Sequence, residues 1–155
     1  FRSSAASDVY KRQLKNFDQV DKNKTGAIGF CFGGKCALDL ARSGEDIKGV
    51  VSFHGLYDAP TASTGKQLKG TLKIDSSILI LHGYDDPMAT PKSMVELADE
   101  LNSKKAKWQI HAYGNVGHAF TNPEANQRES GLFYDQYADE HSWNEMKNFF
   151  SKLFS

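Results

Sequence analysis

The sequence has no apolar run approaching the roughly 18 residues that a membrane-crossing helix needs, and no apolar stretch near its start of the kind a secretory signal carries. Net charge is missing too, because nineteen Lys and Arg residues balance nineteen Asp and Glu. Without a basic or acidic excess there is no electrostatic footprint for nucleic acid or for an anionic membrane surface. The expected partner is a small neutral or mildly charged molecule, with no nucleic acid and no membrane, and the expected location is cytoplasmic. Cysteine is scarce. Cys31 and Cys36 lie five residues apart, a spacing that does not bring two side chains together on a helix, and two cysteines alone make no zinc site. An initiating Met is absent, and the opening "FRSSAASDVYKRQ" has neither helical nor strand periodicity. Residues 1–13 are therefore expected to be a non-native or disordered leader, with the fold in 14–155.

What is present is ordinary for one globular domain: 39% hydrophobic and 25% charged residues in a chain of 155. Four β-rich runs recur, "AIGF" (27–30), "GVVSFH" (49–54), "SILILH" (77–82) and "WQIHAY" (108–113). The second and third are apolar enough to be buried on both faces, as in a parallel sheet. Gly33, Ala37, Leu40 and Ala41 make one helix face between the first two runs. Met94, Leu97, Ala98 and Leu101 make another between the last two, opened by Thr90 as N-cap and Pro91 at the first helical position. A final helix from about Ser142 to Phe154 presents Trp143, Met146, Phe149, Phe150 and Leu153. The segment "GLYDAPTASTGKQLKGTLKI" replaces one crossover helix with a polar loop. Alternating strands and helices predict an α/β fold, a mostly parallel sheet with flanking helices. Ligands bind such sheets beyond the carboxyl ends of the strands. The residues there are Cys31, His54, the "HGYDDP" group and "GNVGHAF".

Gly29-Phe30-Cys31-Phe32-Gly33 has the G-x-S-x-G spacing of a nucleophile elbow, with Cys in place of Ser. A tight strand-to-helix turn strains the central residue, and neighbours without a Cβ avoid clashes. The helix that follows aims its N-terminal N–H groups and positive dipole end at Cys31, which favours a thiolate there. From the elbow alone, a buried cysteine that merely packs a strand onto a helix is an equal alternative. An elbow nucleophile also needs a base and an acid, which follow it in the order nucleophile, acid, histidine. Asp86 follows the third run and His118 the fourth, so the order fits. Singly, an Asp before Pro is a turn residue and a loop His is solvated. Together, each after a separate strand, they point to a triad.

"IGFCFGG", "LHGYDDP" and "GHAFTNPEA" together resemble the dienelactone hydrolase family of α/β-hydrolases, from about Leu14 to the C-terminus. The resemblance implies an α/β-hydrolase fold with Cys31 as nucleophile, Asp86 as acid and His118 as general base. Asp85 is the weaker candidate, since the family's aspartate stands three residues after the glycine, here Gly83. The resemblance also implies that 14–155 is the C-terminal part of the domain. About four strands that precede the elbow in the family are missing (truncated), and with them the second oxyanion donor. Dienelactone hydrolases proper carry an arginine four residues after the catalytic histidine to clamp a carboxylate. Here that position is Asn122, a neutral amide without the bidentate charged fork.

The expected function is hydrolysis of a lactone or carboxylic ester, with the Phe32 backbone N–H as one oxyanion donor and no cofactor or metal. The chain by itself is expected to turn over weakly. His54 and Asn122 are candidate substrate contacts. Two other classes stay open: a binding protein of the same fold without turnover, and a thiol-redox protein using Cys31 and Cys36. His54, His82 and His111 belong to three separate strands and are not read as a metal set.

Overall fold

The computed structural model describes residues 9, 10, 12–58 and 73–155. Four strands, β1 (Gly26–Phe30), β2 (Gly49–Phe53), β3 (Ser77–Gly83) and β4 (Lys107–Tyr113), pair in parallel in the order β1-β2-β3-β4. Helix α1 (Phe32–Arg42) follows β1, α2 (Pro91–Ser103) lies between β3 and β4, and α3 (Gln136–Leu153) closes the chain. A two-stranded hairpin, β5 (Asn126–Gln127) and β6 (Leu132–Phe133), stands between β4 and α3. No described helix is long and apolar enough to cross a membrane. Most of the polar loop read at residues 55–74, namely 59–72, and much of the leader read at 1–13 lie outside the described residues.

The side-chain period of two explains why β2 and β3 read as unbroken apolar runs. Val50, Ile78 and Ile80 face a core with Leu38, Leu40 and Ala41 of α1 and Leu97 and Leu101 of α2. Val51, Phe53, Leu79 and Leu81 face the opposite core with Ala138 and Met146 of α3. Both faces are thus covered, and each fully buried Leu, Ile or Phe contributes about 1.5–3 kcal/mol. Strand β4 alternates instead, and it and β1 are the edges of the described sheet. On β1, Ile28 is 45% and Phe30 39% exposed. An edge strand of this kind offers unpaired backbone groups to any further strand.

Helix boundaries follow local capping chemistry. Thr90 accepts from Ser93 N at α2, with Pro91 first in the helix. Helix α3 begins at Gln136, ahead of the expected start near Ser142, because Asp135 accepts from Ala138 N at 2.8 Å and caps it there. The α3 stripe is also displaced: Ala138, Ser142 and Met146 are buried, whereas Trp143 is 45% exposed.

The glycines of the elbow divide unequally. A Cβ on Gly29 would overlap the Gly33 carbonyl and stand 2.7 Å from Gly34 N, whereas one on Gly33 would meet nothing within 4 Å. The second close approach falls on Gly34, where a Cβ would lie 2.6 Å from Ser52 Oγ and 2.9 Å from Gly55 Cα. Helix α1 therefore sits on β1 and β2 through Gly29 and Gly34. Gly33, which completes the motif, is sterically free. Accordingly, Gly29→Ala should lower the unfolding free energy by about 1–3 kcal/mol or more, as overpacking against backbone does. Gly33→Ala should be neutral or stabilising by up to about 1 kcal/mol. Urea titrations of both variants check this, and equal losses would contradict the placement of the turn.

Candidate active site

Cys31 stands between β1 and α1 with φ 53° and ψ −120°, outside the regions a side chain ordinarily allows. The surroundings hold it there. Its N–H donates to Phe53 O at 3.0 Å, extending the β1–β2 ladder by one residue, and its carbonyl accepts from Gly34 N at 3.0 Å and Lys35 N at 3.3 Å. Strain of this kind persists only where tertiary contacts over-determine the backbone. Its effect is to lift the side chain out of the turn, so that Sγ lies 3.0 Å from His118 Nε2.

The loops after β3 and β4 bring Asp86 and His118 to the same end of the sheet. They run backbone against backbone. Tyr84 N donates to Tyr113 O and Asp85 N to Val116 O, both at 2.9 Å, and a Cβ on Gly83 would overlap the carbonyls of Val116 and Gly117. The β5–β6 hairpin grips the second loop from outside. His118 N donates to Gly131 O at 2.7 Å, and Phe133 N to His118 O at 3.1 Å. The Arg128 guanidinium caps the Phe133 ring at 4.0 Å. Two-residue strands carry no periodicity, so this clamp left no signal in the sequence.

Asp86 is buried, and both carboxylate oxygens are engaged. Oδ1 accepts from Met88 N at 2.7 Å and Ala89 N at 3.2 Å, while Oδ2 lies 2.7 Å from His118 Nδ1. Asp85 is exposed and borders a different hollow, with Arg128 and Phe133. Burial alone pulls the His118 pKa down. The hydrogen bonds to Asp86 and then to Cys31, with the charge of each, outweigh it and hold the group above its ordinary value.

The remaining sequence candidates are placed as follows. Phe32 is the first residue of α1, where N–H groups lack intrahelical partners. His54 follows β2, is 3% exposed, and has Nε2 2.9 Å from Thr121 Oγ1. Asn122 is exposed in the turn after His118, and its Oδ1 accepts from Glu124 N at 3.1 Å. Cys36 lies on α1 and borders a hollow against β1 with Ile28 and Leu40, and both cysteines are free thiols. Among the described residues, no group of three or more His, Cys, Asp or Glu could hold a metal ion.

Two buried groups escaped the sequence reading. The Tyr57 hydroxyl lies 2.7 Å from Nδ1 of the fully buried His82. Burial, and then the charge of Asp86, push the tyrosine pKa up, so Tyr57 keeps its proton and donates. Arg42, 3% exposed, binds both oxygens of Glu100 (3.0 and 2.6 Å), Asp39 Oδ1 at 3.0 Å and Tyr57 O at 2.8 Å. It ties α1 and α2 to the segment after β2. An Arg at a helix end reads as a solvated cap, and only the fold shows that it faces inward.

A parallel sheet whose first described strand ends in a strained Cys, with Asp and His supplied by the loops after later strands, defines an α/β-hydrolase-type fold. The family model for the dienelactone hydrolase family matches residues 4–154, and the chain belongs to that family. A crystal structure of a dienelactone hydrolase-like promiscuous phosphotriesterase, P91, from metagenomic libraries superposes with a TM-score of 0.84 at 37% identity, covering 97% of this chain and 61% of that one. An uncharacterized protein of Caenorhabditis elegans is 36% identical over 92% of this chain and 88% of its own length. An Escherichia coli protein named as a candidate carboxymethylenebutenolidase is 26% identical over 85% of this chain and 47% of its own length. The chain thus spans about three fifths of P91 and about half of the E. coli protein.

Burial, and then the neighbouring His118, lower the His54 pKa to about 4. Between the ordinary histidine value near 6.5 and pH 4 the unfolded chain takes up a proton that the folded chain refuses. Stability should therefore fall as pH drops through this window, by at most about 3 kcal/mol from this group. His54→Phe should remove that part of the slope. Denaturant midpoints of the two proteins from pH 7 to 4 check it, and parallel curves would contradict it.

Proposed function

We propose that the protein hydrolyses a lactone or carboxylic ester by way of Cys31, His118 and Asp86. The observation that carries this reading is the continuous chain of contacts at the strand ends, from Sγ to Nε2 at 3.0 Å and from Nδ1 to Oδ2 at 2.7 Å. In this mechanism His118 Nε2 takes the Cys31 proton and Sγ attacks the carbonyl carbon. Asp86 stabilises the imidazolium and keeps Nδ1 protonated, which leaves Nε2 free for the exchange. The oxyanion accepts from the Phe32 N–H at the start of α1. As the tetrahedral intermediate collapses, the alkoxide leaves with the proton from His118. Water then gives a proton to His118 and attacks the thioester, releasing the acid and Cys31. The chemistry is complete without a cofactor. Asn122 stands where the family's arginine would clamp a carboxylate, and a neutral amide supplies no charged fork there, so neutral esters are favoured over carboxylate-bearing ones. The proposed setting is the cytoplasm, where a nucleophilic thiol stays reduced.

Intact-mass measurement after mixing with an aryl ester tests the reading. A transient acyl adduct should appear on Cys31 and be absent from Cys31→Ala. A chain that forms no adduct would instead be a binding protein of this fold, and loss of two mass units on mild oxidation would mark a thiol-redox pair. In a version of the enzyme that carries the upstream strands, Asp86→Asn should lower turnover by up to about 10⁴-fold, the cost of the wrong tautomer in a serine triad. Asp85→Asn should stay within a few fold of the parent, and the reverse ranking would overturn the assignment of the acid.

A further inference from the structure

His54 lies at the carboxyl end of β2 with φ 35°, a left-handed conformation that a residue with a side chain keeps only where its surroundings impose it. Its N–H donates to Leu81 O at 2.8 Å, and the residue is buried. The ring meets the His118 ring at 67° with centroids 5.2 Å apart, and the Phe120 ring at 80° and 5.0 Å. Nε2 lies 2.9 Å from Thr121 Oγ1, a hydrogen bond that tethers the ring.

His118 is held by hydrogen bonds at Nδ1 and Nε2. Two hydrogen bonds fix two atoms of a flat ring, and a shift or tilt of the ring away from both partners at once lengthens and bends them. A body packed against the ring removes that freedom. We propose that His54 is a positioning residue for His118: tethered to Thr121, it packs against the His118 imidazole and keeps it in line between Asp86 and Cys31. This rests on the reading of Cys31 and His118 as nucleophile and base. The charged or titratable groups acting on His54 are His118 and Asp86. Its other ring neighbours, Phe30, Phe120 and Thr121, carry no charge. With its pKa near 4 the wedge stays neutral when His118 is protonated, and so supports the ring without repelling it.

The test is the rate at which iodoacetamide alkylates Cys31 in the folded chain, read by peptide mass at one pH, with Cys36 as the internal control for folding. His54→Ala should slow Cys31 threefold or more and leave Cys36 unchanged. His54→Phe, which keeps a ring against His118, should recover more than half of that loss on a logarithmic scale. Turnover of an aryl ester should follow through kcat, with KM within twofold. A folded His54→Ala chain slowed less than threefold, or a His54→Phe chain no better than alanine, overturns the proposal. Should His54→Ala fail to fold, Thr121→Val, which frees the ring without emptying its site, should slow Cys31 measurably, and an unchanged rate overturns the proposal equally. Alkylation needs no turnover, so an inactive parent would defeat the hydrolase reading while this comparison still stands or falls by itself.

Discussion

The site depends on one strained residue. Cys31 is held in a conformation that its own Cβ disfavours, by the bonds its carbonyl accepts from Gly34 N and Lys35 N and by the hydrogen bond from its own N–H to Phe53 O. That bond exists because β1 pairs with β2 in register up to Phe30 and Phe53. The register in turn rests on β2 being buried along its whole length between two apolar layers. The absence of a Cβ at Gly29 and Gly34 then allows α1 to start directly under the thiol. Any change that loosens this stack moves Sγ relative to His118 before it touches the chemistry.

Around that residue, one buried carboxylate serves an imidazole while two more imidazoles stand close by. Asp86 spends one oxygen on two backbone N–H groups and the other on His118. His118 is drawn toward its protonated form by these contacts, whereas burial drives His54 and His82 toward neutrality. The three rings thus differ in behaviour because their hydrogen-bond partners differ. Two cations packed edge to face at this spacing would repel in a region from which water is largely excluded. A neutral His54 avoids that cost.

Much of this was legible in the sequence, for identifiable reasons. Val50 to Phe53 and Ile78 to Leu81 read as doubly buried strands because parallel pairing covers both faces and leaves no polar side to interrupt the run. Thr90 and Pro91 marked the start of α2 because capping is local chemistry. Cys31, Asp86 and His118 stood out because each follows a strand, and strand ends converge. What stayed hidden depends on tertiary contacts. Met146 packs inward while Trp143 lies half-exposed, a choice set by how α3 crosses the sheet. The β5–β6 clamp on His118 is too short to carry a period. Arg42 and His54 are polar residue types whose burial only the folded neighbourhood explains.

The central claim is that Cys31 is set apart by its place at the start of α1 and by His118, and the chain supplies its own control. Cys31 and Cys36 are both half-buried free thiols on or beside the same helix, but only Cys31 has the imidazole at 3.0 Å. Brief treatment of the native protein with iodoacetamide, followed by peptide mass analysis, compares the two directly. The account predicts that Cys31 is modified at least tenfold faster than Cys36. Comparable rates, or a faster Cys36, would contradict it.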